Sequence, residues 1–320
     1  MSRTISILLL PVLLVLSCGK DGREPDVTPV PYTPPDTPQV TIETATQVIA
    51  LAEQNTGRYL LYDIPSKTIV WSWFPSDGGL SGYDANLFHL PDEVKPVMNR
   101  TCLLVTASGG GVALIRVSDK KILFMAAPMG NPHSAELLPD GNIAVACSDG
   151  NKICIYRPDD EEPAFTLDLD YAHNVVWDKE RQLLWSASMG MVYSFKYLVG
   201  EDGPRLELDS MTPCPASVTE AHELSPVYGK PALYVSFAKG VFRFDCVTKT
   251  FTEEKVPNDT GVKSLTEGPS GYPLTVLRAT SSWWSPELHT VDGGLLLYES
   301  SFHLYKARWF VDNPFSYKYE

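Results

Sequence analysis

The chain has 320 residues, a formal net charge of −13 at pH 7, and 44% hydrophobic and 11% aromatic side chains. That apolar content is ample for a large core and excludes disorder for the body of the protein. The acidic balance, with no basic run or stripe, excludes phosphate-backbone recognition, so no nucleic-acid partner is expected.

In chain order, Arg3 precedes an apolar run at residues 5–16 that is too short to span a bilayer and reads as the core of a signal peptide, residues 1–17. The run ends in Val15-Leu16-Ser17-Cys18-Gly19. This ending resembles the lipobox of bacterial lipoproteins, which implies a lipid on Cys18, attachment to the membrane through acyl chains alone, and an extracytoplasmic, outer-membrane location. Pro25, Pro29, Pro31, Pro34, Pro35 and Pro38 follow, so residues 18–44 form a lipidated cysteine and an extended proline-rich tether. Residues 45–320 are the folded domain.

Five stretches of that domain, 48–63, 102–117, 142–156, 183–197 and 232–245, repeat one pattern of apolar strand, tight turn and apolar strand. Each turn carries a glycine with access to positive φ, and Gly57, Gly110, Gly150, Gly190 and Gly240 follow one another at 53, 40, 40 and 50 residues. The window 42–54 has some helical character, but its alternation assigns it to the first hairpin. A polar turn and a third strand follow the hairpins at 68–73, 121–126 and 250–254. A short segment precedes four of them, at 84–88, 133–138, 173–177 and 222–224. The unit is therefore four strands, the length of one propeller blade, and such units must stack to bury their apolar faces.

A sixth, degenerate unit follows, with strands expected at 262–267, 272–280, 294–299 and 302–310. The last of these is free to enter the first unit, which lacks an inner strand of its own, and close the ring. The fold expected is all-β, a six-bladed propeller of four-stranded antiparallel blades, with seven blades as the alternative. It resembles bacterial β-propellers of the quinoprotein-like and WD40-like group, without the Gly-His and Trp-Asp signature of true WD40 repeats.

The same repeat phase places His133, His173 and His222 at the start of successive inner strands, with Lys263 and Asp84 at the matching places of two more. Inner strands run side by side about the axis, so these five residues are expected to ring one mouth of the channel. Three converging imidazoles suit a divalent metal, with Glu136 or Glu223 as helpers. This set resembles the channel histidines of propeller-fold oligogalacturonate lyases, where a metal neutralises a uronate carboxylate. Structural histidines that bond a neighbouring blade are the plain alternative. Trp283 and Trp284, in a serine-rich loop, are candidates for stacking on a sugar.

Of the five cysteines after Cys18, Cys147 and Cys154 face each other only if Gly150-Asn151 is a two-residue turn, which would permit a disulfide; the others behave as buried hydrophobes. The functions expected are binding of a polar ligand, an anionic saccharide first among them, at the channel mouth; metal-dependent polysaccharide cleavage at the same ring; or a scaffold for other surface proteins. No nucleophile elbow, HExxH, phosphate loop or dinucleotide motif is present to make an enzyme the leading reading.

Overall fold

All five glycine hairpins form where the repeat places them. Val48–Glu53 pairs antiparallel with Arg58–Asp63, Cys102–Ala107 with Val112–Arg116, Ile143–Cys147 with Lys152–Tyr156, Leu183–Ser188 with Met191–Gly200, and Ala232–Ser236 with Val241–Asp245. Gly57, Gly110, Gly190 and Gly240 hold φ at 69°, 110°, 68° and 96°, where a Cβ is strained. In the third hairpin Asn151 takes the left-handed position, with φ 51°. Gly150 is small for another reason: the chain at Gly130 crosses it, and a Cβ on Gly130 would stand 2.6 Å from the Gly150 Cα.

The computed structural model describes residue 42, residues 46–215 and residues 218–317, so the expected signal segment, Cys18 and nearly all of the tether lie outside the described residues. The described chain builds six sheets of four antiparallel strands each. Helix is slight, a 3-10 turn at Pro75–Gly78 and a helix at Gly82–Asn86. The innermost strands are Leu304–Trp309 in blade 1, Pro91–Val97 in blade 2, Pro132–Leu137 in blade 3, Val176–Asp178 in blade 4, Glu223–Pro226 in blade 5 and Val262–Thr266 in blade 6. Each touches the next around a closed circle.

Closure comes from the chain ends, as the sequence predicts. Leu304–Trp309 pairs with Val48–Glu53, with Ile49 opposite Trp309 and Glu53 opposite Leu304. The buried Glu53 carboxylate accepts the His303 amide at 3.2 Å, which ties the last inner strand to the first hairpin turn. Six apolar cores result, one between each pair of neighbouring blades. Tryptophans act as wedges: the indole nitrogens of Trp71 and Trp73 in blade 1 donate to the carbonyls of Val117 and Lys120 in blade 2.

One expected strand is corrected and one unexpected strand is added. The segment 84–88 is not the inner strand of blade 2; Gly82–Asn86 is helical and the inner strand is Pro91–Val97. Two prolines are tolerated there because the axial edge of each blade needs no ladder partner. In blade 6 a further strand, Glu287–Thr290, lies between Thr275–Arg278 and Leu295–Tyr298. The hairpin register sets Cys147 opposite Lys152 and Cys154 opposite Val145, so the two cysteines are diagonal neighbours and not directly opposed; their thiols hydrogen-bond each other, and both are free.

Candidate functional site

The inner strands of blades 2, 3 and 6 each hold one residue more than their neighbours at one end. Their registers step from Pro91 to Glu93, from Pro132 to Ser134 and from Val262 to Ser264, leaving Asp92, His133 and Lys263 as the inserted residues. Blade 1 has an irregularity across the stretch that contains Tyr305. In blades 4 and 5 the amides of His173 and His222 bond the Ala187 and Ser236 carbonyls just ahead of the inner strands. An extra residue breaks the alternation of a strand and re-aims its side chain. Six blades thus deliver six side chains to one mouth: Tyr305, Asp92, His133, His173, His222 and Lys263.

Four aromatic rings are filed across this mouth. Tyr171 lies on His173 with centroids 4.8 Å apart, His173 on His133 at 4.1 Å, and His133 near Tyr305 at 5.8 Å, all with interplanar angles of 30° or less. His222 meets His173 edge-on at 5.4 Å. His133 and His173 are buried, whereas His222, Lys263 and Tyr171 are half-buried. The accessible part of the ring is therefore the arc of blades 4 to 6.

Several polar atoms of this ring are buried and make no hydrogen bond: both ring nitrogens of His173, Nδ1 of His133 and of His222, Oδ1 of Asp92, and Nδ2 of Asn174 just below. His133 Nδ1 stands 3.4 Å from Asp92 Oδ2, and Ser108 Oγ donates to the same oxygen at 2.7 Å. Burial, reinforced by Lys306 and Lys263, holds His133 far below the usual imidazole range. Burial and the neighbouring histidines do the same to His173. Burial and Lys263 bring His222 down to about 3. The imidazoles are therefore neutral at pH 7, each with one donor and one acceptor. Burial also raises the Asp92 carboxyl to about 8 and, with Lys306 beside it, lowers the Lys263 ammonium to about 8. Lys263 makes no ion pair among the described residues; its Nζ lies 5.7 Å from the Tyr305 ring centroid.

One step further along the axis the chemistry changes. Lys306 Nζ sits 3.3 Å from Glu93 Oε2, 3.5 Å from Glu223 Oε2 and 3.5 Å from Asn174 Oδ1. Arg308 Nη2 lies 2.8 Å from Glu93 and 2.7 Å from Glu223. Burial alone would raise the Glu93 carboxyl, but Arg308, Lys306 and Lys95 hold it down at about 2. Towards the other mouth Lys95 pairs with Glu136 at 2.8 Å and donates to the Val175 carbonyl at 2.7 Å, while Tyr317 donates to the second Glu136 oxygen.

The ring thus contains His133, His173, His222 and Lys263 as the repeat phase predicts, but not Asp84. That residue is exposed on the rim helix Gly82–Asn86, and Asp92 takes the ring position of blade 2. Sequence reasoning also missed Tyr305, and the signal for both is the same: one residue inside the first position of an inner strand. The three histidines are brought together: His133 and His173 stack nearly parallel, His222 meets His173 edge-on, and Lys263 and Lys306 act on all three. Among the described residues no group of three or more His, Cys, Asp or Glu is arranged to hold a metal ion. The expected helpers are engaged elsewhere, Glu136 with Lys95 and Tyr317, and Glu223 with Lys306 and Arg308. Trp283 and Trp284 lie on the loop at the seam of blades 6 and 1; Trp284 stacks on His303 at 3.6 Å, and Trp283 is 49% exposed.

The chain belongs to the Family of unknown function (DUF6528), whose model matches residues 5–320. It matches none of the curated proteins. Its fold is similar to that of a protein of unknown function from Bacteroides caccae, with a TM-score of 0.58 at 14% identity over 83% of this chain and 99% of that one. It is also similar to a chain in the crystal structure of the mitotic checkpoint complex, with a TM-score of 0.50 at 14% identity over 83% of this chain and 73% of that one. At such identities the likeness shows the β-propeller fold alone.

Proposed function

We propose that this member of DUF6528 is a lipid-anchored, extracytoplasmic binding protein that takes a saccharide bearing an acidic group on the channel-mouth arc formed by Tyr171, His222 and Lys263. One observation carries the reading: a half-buried ammonium with no carboxylate partner stands among imidazole nitrogens that are themselves unbonded. Buried polar atoms are normally satisfied, and a ring of mixed donors around a free cation is the complement of a carboxylate. The half-buried face of Tyr171 offers the apolar surface that a pyranose ring stacks on. The sequence around Cys18 supports the anchor.

Isothermal titration with uronate oligosaccharides and with neutral oligosaccharides of equal length tests the site. Lys263→Ala is expected to weaken binding of the acidic series at least tenfold, about 1.4 kcal/mol, and to leave any neutral series unchanged. Equal affinity of both proteins for the acidic series overturns the reading. The anchor has its own test: Cys18→Ser is expected to move the protein from the membrane fraction to the soluble one, and unchanged partitioning refutes lipidation at that residue.

A further inference from the structure

Building on the saccharide reading above, we infer that the ligand is an oligosaccharide of at least three units laid across the mouth, from Tyr171 at the seam of blades 3 and 4 to Trp283 at the seam of blades 6 and 1. These seams are diametrically opposed in a six-membered ring. The polar arc of His222 and Lys263 lies between them.

Trp283 is held as a platform. Its Nε1 donates to Gln54 Oε1 at 2.9 Å, and Gln54 is itself buried, its side-chain amide bonded to the Pro91 carbonyl at 3.0 Å and its backbone amide to the His303 carbonyl at 2.9 Å. Pro91 is the residue before Asp92, so the indole is tied to the mouth through a single side chain. The loop is pinned on its other side by the stack of Trp284 on His303 and by reciprocal backbone bonds between Ser285 and Leu304. An indole fixed in place with part of its ring exposed offers a rigid face for stacking on a sugar. Tyr171 is held as firmly. It adopts φ 53°, its amide donates to Asn151 Oδ1 at 2.8 Å, and its ring lies over His173. A non-glycine residue in that region costs about 1 kcal/mol or more and is retained where its surroundings impose it.

Length follows from the spacing. Neighbouring inner strands are no closer than the ~4.7 Å of hydrogen-bonded strands, which puts opposite strands of a six-membered ring at least about twice as far apart; Tyr171 lies on the mouth above His173, and Trp283 stands outside the inner strands, on the loop between the second and third strands of blade 6. A single pyranose cannot stack on both. A chain that does so places an internal unit over Lys263 and His222.

Titration of the full-length protein with uronic acid oligomers from one to six units, in galacturonate and mannuronate series, tests the inference. Affinity is expected to rise at least tenfold from monomer to trimer or tetramer and then level off. Trp283→Ala is expected to abolish most of that rise while leaving the monomer Kd unchanged, and Trp283→Phe to keep it. Affinity that is flat with length, or an equal loss at every length in Trp283→Ala protein whose melting midpoint is unaltered, overturns the inference and leaves the saccharide reading intact. Absence of binding at any length in both series overturns the reading and the inference with it.

Discussion

The mouth of the channel and its middle are built from the same inner strands a few residues apart, yet they solve the problem of buried polarity in opposite ways. In the middle, Glu93, Glu223, Lys306 and Arg308 neutralise one another at ion-pair distance. At the mouth, six polar or aromatic side chains converge and most of their nitrogens go without a partner. Charges paired in this way hold blades together, although neither Glu223 oxygen meets its cation in hydrogen-bond geometry. An unpaired ring confers no such stability, and binding is the task we propose for it.

The largest expected effect separates the two directly. Lys306→Met leaves two buried glutamates with only Arg308 between them and is expected to cost about 3–5 kcal/mol in urea unfolding, the range for breaking a buried ion pair. His173→Phe removes two unbonded nitrogens and keeps the stacked shape, so stability is expected to stay within about 1 kcal/mol of the parent or to rise. A large loss in His173→Phe protein would show that the mouth is structural after all.

The response to pH is a second test. The three imidazoles have folded pKa values below their unfolded one, so the unfolded chain binds the extra protons and stability falls as pH drops from about 6.5 towards 3, by up to about 1.4 kcal/mol per pH unit for each. Asp92 has the opposite sign. Its raised carboxyl holds a proton that the unfolded chain has lost, so its contribution is present below pH 4 and is lost as pH rises from about 4 to about 8. Melting midpoints are therefore expected to peak near pH 6.5 and to fall steeply on the acid side, where three terms outweigh one. Asp92→Asn is expected to flatten the slope between pH 6.5 and 8 and to steepen the acid limb. A midpoint that is constant from pH 7 to 4 contradicts burial of neutral histidines.

How much of this was legible in the sequence differs between the two regions. The hairpins, their phase and the closing strand at 302–310 follow from alternation and turn residues, and the phase carries three histidines and Lys263 to the mouth. Asp92 stayed hidden because Pro91-Asp92-Glu93-Val94-Lys95-Pro96-Val97 has two prolines and three charges, a composition that reads as a surface loop. The helix at Gly82–Asn86 lengthens the preceding connection and offered Asp84 in its place. Of the middle of the channel the sequence offered only Glu223, as a helper at the mouth. Glu93, Lys306 and Arg308 sit in strands where a charged residue ordinarily faces water, and only the closed ring turns those positions inward. The histidines were found but not their stacking, because sequence phase fixes which residues share a level and says nothing about ring planes.

The most direct test of the division is the shift in melting midpoint that a saturating uronate trisaccharide produces in the parent protein and in Lys263→Met. Ligand that binds only the folded state raises the midpoint. A clear upward shift in the parent is predicted, with none in Lys263→Met, whose midpoint without ligand matches the parent's. An equal shift in both proteins would contradict the assignment of the mouth as the binding site.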